Sequence, residues 1–304
     1  MGEAVSNSGI VVGNFPDPAY PLPFYGKNLN NGGIWENGVW TSLGLGLVNI
    51  TLVGQSDAYG TTPVVVSADG TKILGGSNIE NGNVNPVPFA WNKNNEGGWD
   101  TQTYAYPTGA NATVITGMSA DGTLACGYYS HINNIGQSRA LIWTSPEEYI
   151  EISDKPNTFG QALGMSPNGR YVSLTLDSRA AIYDTETEEI KYIAPLGIRT
   201  YAKDVSDNGI AVVYNFDTYL GYIWAEELGL IDLVEYLDTF ANLELPNEST
   251  LGQGVYMPSF ISADGTIFGG WEGLSYDYRN AWIVKTGNII PQLPARPSNL
   301  SYTV

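Results

Sequence analysis

The sequence predicts an all-β fold, a six-bladed β-propeller of four-stranded antiparallel blades. Three observations lead there. A Ser-x-x-Gly turn recurs six times, an aromatic residue keeps the same place in a strand that follows it, and the composition favours turns and strands. Gly (36) and Tyr (20) are plentiful and charged residues make up only 14%, too few for a surface laid with helices. Hydrophobic residues at 43% supply the material for a large core.

The turns read "SNSG" (6–9), "SADG" (67–70), "SADG" (119–122), "SPNG" (166–169), "SDNG" (206–209) and "SADG" (262–265). Their serines are 61, 52, 47, 40 and 56 residues apart, a period close to that of propeller blades. Serine supplies an oxygen for a local backbone N–H, Pro167 fits the fixed φ of the second place, and glycine takes a left-handed fourth place. The residue before each serine is apolar: Val5, Val66, Met118, Met165, Val205 and Ile261. Three places after each glycine stands another apolar residue: Val12, Ile73, Ala125, Val172, Val212 and Phe268. Alternation on both sides of a tight turn predicts paired strands with one buried face.

A third strand carries Trp35, Trp91, Trp143, Tyr183 or Trp224, and in the last copy Trp282, shifted along the strand. A large ring repeated once per unit is expected to fill the wedge between adjacent sheets. A fourth strand follows each of these, the last being "NIIPQL". Leu230, Leu233, Val234 and Leu237 predict a short amphipathic helix before the sixth turn. The first blade has only "GEAV" for an inner strand, so ring closure is expected to rest on packing of blade six on blade one.

With these units in place, the chain resembles the HAF repeats of bacterial extracellular and autotransporter proteins. Those units run "VSADG…VG", then a strand ending in Trp, and residues 233–271 match the family's last spacer and repeat. The resemblance implies a propeller over residues 1–293 and a secreted or cell-surface location. Residues 294–304, "PARPSNLSYTV", resemble the opening strand of a fibronectin type III module, so a longer protein trimmed of its export signal and later domains is expected. The sialidase Asp-box, which needs a residue between its Asp and Gly, does not fit "SADGT".

Function is bounded mostly by exclusion. A net charge of −18 and the absence of a basic run argue against nucleic acid and anionic membrane surfaces as partners. No apolar run is long enough for membrane insertion, and a monomer is expected. One cysteine (Cys126) and one histidine (His131) exclude an intrachain disulfide and a Cys/His zinc site. His131, in "YYSHINNIGQS", reads as a surface loop residue. No cofactor is indicated; loop Asp and Asn side chains suit calcium in kind, but no ligand spacing singles out a site.

Alternating strand direction puts the Ser-x-x-Gly turns and the third-to-fourth turns on one rim. The other rim takes the long connections 14–31, 45–62, 77–87, 101–112, 128–139, 238–256 and 271–279. Candidate ligand-binding residues there are Tyr25, Tyr59, Tyr106, Tyr129, Asp217, Trp271, Tyr276 and Asp277, since rings stack on apolar sugar or side-chain faces while carboxylates orient. The sequence therefore predicts a non-enzymatic adhesion module for a polysaccharide or a cell-surface protein. The alternative is a glycan hydrolase or lyase using paired carboxylates on the same rim.

Overall fold

In the computed structural model the described residues are 2–16, 30–43, 61–77, 87–131, 138–154, 159–239, 256–272 and 280–286. They form six antiparallel sheets arranged as a β-propeller. Blade one is β1 (Gly2–Val5), β2 (Val11–Pro16), β3 (Asn30–Glu36) and β4 (Val39–Ser42). Blade two is β5 (Thr61–Val66), β6 (Lys72–Ser77), β7 (Val87–Lys93) and β8 (Trp99–Thr103). Blade three is β9 (Ala110–Met118), β10 (Ala125–His131), β11 (Ser138–Ser145) and β12 (Glu148–Ile152). Blade four is β13 (Gly160–Met165), β14 (Tyr171–Leu176), β15 (Arg179–Asp184) and β16 (Glu189–Tyr192). Blade five is β17 (Thr200–Val205), β18 (Ala211–Asn215), β19 (Gly221–Ala225) and β20 (Gly229–Asp232), followed by α1 (Leu233–Thr239). Blade six is β21 (Tyr256–Ile261), β22 (Ile267–Glu272) and β23 (Asn280–Lys285). Its expected fourth strand, and residues 294–304, lie outside the described residues.

Each Ser-x-x-Gly turn is built from the same bonds. The glycine N–H donates to the serine carbonyl at 2.8–3.0 Å, and the glycine φ lies between +73° and +83°. The serine hydroxyl accepts the N–H of Ile10, Lys72, Leu124, Tyr171, Ile210 or Ile267 at 2.9–3.0 Å, where the second strand starts. In the three SADG copies the aspartate accepts the serine O–H at 2.6 Å. Those bonds, with the threonine N–H, hold Asp69, Asp121 and Asp264 below the ordinary carboxylate range, Asp264 at about 2.

The turns also bond to one another. Asn7 N–H donates to Ala68 C=O (2.9 Å), Ala68 to Ala120 (2.8 Å), Ala120 to Pro167 (2.7 Å), and Asp207 to Ala263 (2.8 Å). Pro167 has no N–H to pass on. There the neighbouring Asn168 N–H donates to the Asp207 carboxylate at 2.7 Å instead. The recurrent glycine answers a second need here, because its absent Cβ leaves room for the preceding blade. A Cβ on Gly70 would lie 2.6 Å from Ile10 Cδ1, whereas one on Gly209 would meet only Tyr171 at 3.5 Å. Gly209→Ala is therefore expected to cost only the left-handed strain of about 1–2 kcal/mol. Gly70→Ala, at a similar φ, should cost measurably more in urea titration, because Ile10 must move. Equal losses would show that the turn does not seat on its neighbour.

Every filled junction joins one face of a blade to the aromatic face of the next. Ile10, Val12 and Ile34 of blade one pack on Ile73, Phe89 and Trp91 of blade two. Leu74, Ala90 and Tyr104 pack on Met118, Ala125 and Trp143 of blade three. Cys126 and Ile142 meet Met165, Val172 and Tyr183 of blade four, and Ala180 and Ile182 meet Val205, Ala211 and Trp224 of blade five. Ile223 and α1 meet Phe268 and Val284 of blade six. The rings fill wedges as expected, with one exception: Trp35 is exposed. In blade six Val284 takes the aromatic place opposite Phe268, and Trp282 sits edge-on to Phe268 at 6.3 Å.

Two expectations need correction. The apolar column three places after glycine mixes two faces. Ser6 and Ser206 donate to the carbonyls of Ile10 and Ile210, four residues on, while the other turns span five. One residue fewer flips the strand, so Val12 and Val212 face the following blade, and Val11 and Ala211 take the place opposite the aromatic residue. In α1, Leu233, Tyr236 and Leu237 are the buried residues and Val234 is exposed. Asp232 Oδ1 caps the helix by accepting the Val234 and Glu235 N–H groups, which sets that phase. Among the described residues no helix is long and apolar enough to cross a membrane.

Candidate binding surface

On the long-loop rim, blade five carries a continuous run of rings. Tyr201 of β17 and Tyr214 of β18 are direct cross-strand partners and stack at 5.2 Å with 12° between planes. Tyr201 also meets Phe216 at 5.7 Å, and Phe216 meets Tyr219 at 6.3 Å. The Arg199 guanidinium lies 4.6 Å from the Phe216 ring. The connection that holds the outer rings is locally ordered. Asn215 Oδ1 accepts the Asp217 and Thr218 N–H groups, Asn215 C=O accepts the Tyr219 N–H, and Tyr219 stands at φ +59°. A tyrosine in the left-handed region is costly, and such strain concentrates where a side chain must be presented. Phe216 and Tyr219 are both more than a third exposed. Of these rings the sequence points to Tyr219 alone, as a rim tyrosine beside Asp217; Tyr201, Tyr214 and Phe216 carry no such signal.

The expected ligand residues separate. Tyr25, Tyr59, Tyr276 and Asp277 lie outside the described residues. Asp217 is exposed beside the platform and ion-paired to Arg199, whose bonds hold its carboxyl below the ordinary range. Tyr106 is half-buried in the connection between β8 and β9. Trp271 is exposed on β22, on the face of blade six turned away from blade five. Tyr129 is a correction: it is buried in the core between blades two and three, and its O–H donates to Glu151 at 2.9 Å. The reason is that β10 runs further than expected. Tyr128, Tyr129 and Ser130 continue the ladder against Ala140, Arg139 and Ser138, so His131 ends a strand rather than sitting in a loop.

One charged pair went unnoticed in the sequence. Lys203 and Asp204 lie at the β-bulge of β17. Asp204 Oδ1 accepts the Val205 N–H, and its Oδ2 accepts the Ile261 N–H of blade six, both at 2.9 Å. Gly164 of blade four leaves the space Oδ1 occupies, since a Cβ there would lie 2.7 Å away. Asp204 thus sits where three blades converge. Burial pushes its carboxyl up to about 7, against its N–H partners and Lys203, and burial lowers Lys203. The only signal is the aspartate two places before the turn serine, where the other copies carry Ala4, Val65, Gly117, Gly164 and Phe260. Among the described residues no group of three or more His, Cys, Asp and Glu side chains comes together.

No protein-family model matches the chain, and no curated protein sequence matches it. Solved structures do. Oligogalacturonate lyase from Vibrio parahaemolyticus aligns with a TM-score of 0.55 at 11% identity, over 94% of this chain and 74% of that one. A puromycin-hydrolysing peptidase of Mycobacterium tuberculosis aligns at 0.54 and 12%, over 85% of this chain and 40% of its own. TolB from Acinetobacter baumannii aligns at 0.52 and 14% over 93% of this chain, which spans 63% of the TolB chain. At such identities the likeness establishes the fold: the chain is similar to TolB-type and related proteins as a β-propeller.

Proposed function

We propose that the protein is a secreted or cell-surface binding module that holds a neutral glycan on the blade-five platform of its long-loop rim. The observation that supports this reading is the ring run Tyr214–Tyr201–Phe216–Tyr219, flanked by the Arg199–Asp217 pair. Flat, partly exposed rings suit the apolar faces of sugars, and a paired guanidinium and carboxylate offer donors and acceptors to hydroxyls at their edges. A net charge of −18 disfavours an acidic polysaccharide. The HAF-repeat resemblance fits the same location.

A glycan array on the purified chain tests it. Neutral oligosaccharides should bind, and Phe216→Ala or Tyr219→Ala should weaken binding about three- to tenfold each, with the circular dichroism spectrum unchanged. Undiminished binding by both variants would remove the platform from the site. Retention of a cell-surface protein, with no glycan bound, would replace the ligand class.

A further inference from the structure

The first strand of every blade carries a β-bulge at the same place. The residue three before each turn serine, Glu3, Val64, Thr116, Leu163, Lys203 or Ser259, is passed over in the ladder to the second strand. In β17, for instance, Ala202 and Asp204 face the consecutive residues Val213 and Val212, and Lys203 faces neither. First strands form one edge of each sheet and approach one another from blade to blade, so they line the propeller axis. The six extra residues therefore stand on one ring about that axis. A bulge re-aims the side chain it inserts, and the packing agrees. Flanking residues such as Ile115 and Met118, Ala162 and Met165, or Ala202 and Val205 are buried in the junctions. Val64 and Leu163 are only half-buried and join none of those clusters.

The ring has two unlike arcs. Blades two to four contribute Val64, Thr116 and Leu163, and the Thr116 hydroxyl is already engaged, donating to Ala162 C=O at 2.8 Å. Blades five, six and one contribute in succession an ammonium, a hydroxyl and a carboxylate: Lys203, Ser259 and Glu3. Among the described residues none of these three side chains makes a hydrogen bond or an ion pair. Asp204, the next residue after Lys203, turns both carboxylate oxygens to the N–H groups of Val205 and Ile261. Lys203 is half-buried, and an ammonium withdrawn from water without a partner is costly. A carboxylate brought to it recovers part of that cost.

We propose that this ring binds a free α-amino acid with an apolar side chain. The carboxylate sits on Lys203, the ammonium on Glu3, and the side chain against Val64 and Leu163. Ser259, between the two charges, offers a hydroxyl that can donate to the carboxylate or accept from the ammonium. Charge selects the zwitterion over a simple carboxylate. A chain of net charge −18 repels an anion on approach, and Glu3 repels it at the ring, whereas a ligand of zero net charge meets neither cost. A neutral sugar would offer both charged groups only hydroxyls, weaker partners than an opposite charge. The ring is separate from the blade-five platform, and the proposal does not rest on it.

Isothermal titration calorimetry with leucine, 4-methylpentanoate and isoamylamine tests this, since the second lacks the ammonium and the third the carboxylate. Leucine should bind, and each of the others should bind at least about tenfold more weakly. Lys203→Met should weaken leucine binding at least about tenfold, with the circular dichroism spectrum unchanged. Glu3→Gln, at an exposed position, should bring leucine down to the level of 4-methylpentanoate without weakening 4-methylpentanoate. If Lys203→Met does not fold, Glu3→Gln decides alone. No detectable binding at about 10 mM leucine would overturn the proposal. So would 4-methylpentanoate binding as tightly as leucine, or undiminished leucine binding by either folded variant.

Discussion

Trp143→Ala is expected to destabilise the protein by about 3–5 kcal/mol. The indole is fully buried and belongs to the cluster that joins blades two and three. Its N–H donates to Ala105 C=O at 2.6 Å, and Tyr104 packs edge-on at 6.4 Å. A side chain of about 200 Å² transferred from water contributes on the order of 5 kcal/mol. Alanine forfeits most of this and leaves a wedge-shaped cavity, because the flanking sheets are held apart by their own ladders. It also removes the N–H donor of the Ala105 carbonyl. Trp143→Phe should recover roughly half of the loss by refilling volume without restoring the bond. Urea titration followed by circular dichroism measures both. A loss below about 1 kcal/mol for the alanine variant would contradict the wedge role of the aromatic column.

How far the sequence reveals this molecule follows from which features are local. The Ser-x-x-Gly turn is legible because its bonds close within five residues: Ser67, Asp69 and Gly70 need nothing distant to fold as they do. The Trp91, Trp143 and Trp224 column is legible because a large ring in every repeat has one economical place to go. Where an answer depends on a neighbour, the pattern fails. Trp35 carries the same motif as Trp143, yet it is exposed where Trp143 is buried, and nothing within its own repeat marks the difference. Val212 occupies the same count from glycine as Val172 but faces the other way, since one residue fewer in its turn reverses the strand. Tyr129 reads as a loop tyrosine because nothing near it in sequence shows that Arg139 extends the ladder opposite. The platform at Tyr201, Tyr214 and Phe216 escaped notice for a related reason. Its rings come from two strands and a turn, and only pairing stacks them.

Asp204 provides the second large effect, read as pH dependence. Its carboxyl moves from 3.8 to about 7 on folding, so between those values the folded chain holds a proton that the unfolded chain has released. Stability contributed by this group is then fully present below about pH 4 and declines as pH rises through about 7. The separation sets a ceiling of about 4 kcal/mol. Asp204 is half-buried rather than sealed, so solvent should reduce the effect to about half that. The turn aspartates act in another window. Asp69, Asp121 and Asp264 are held low, so their contribution is present above pH 4 and is lost as pH falls through their folded values. The two sets of groups can therefore be separated by titration. Asp204→Asn removes the ionisable group, and although it weakens the bond from Ile261, that loss is the same at every pH. Urea midpoints between pH 4 and 7 should fall for the native chain and stay nearly level for the variant. Parallel slopes would mean that the Asp204 carboxyl is already ionised at pH 4, and that its two N–H partners and Lys203 outweigh its burial.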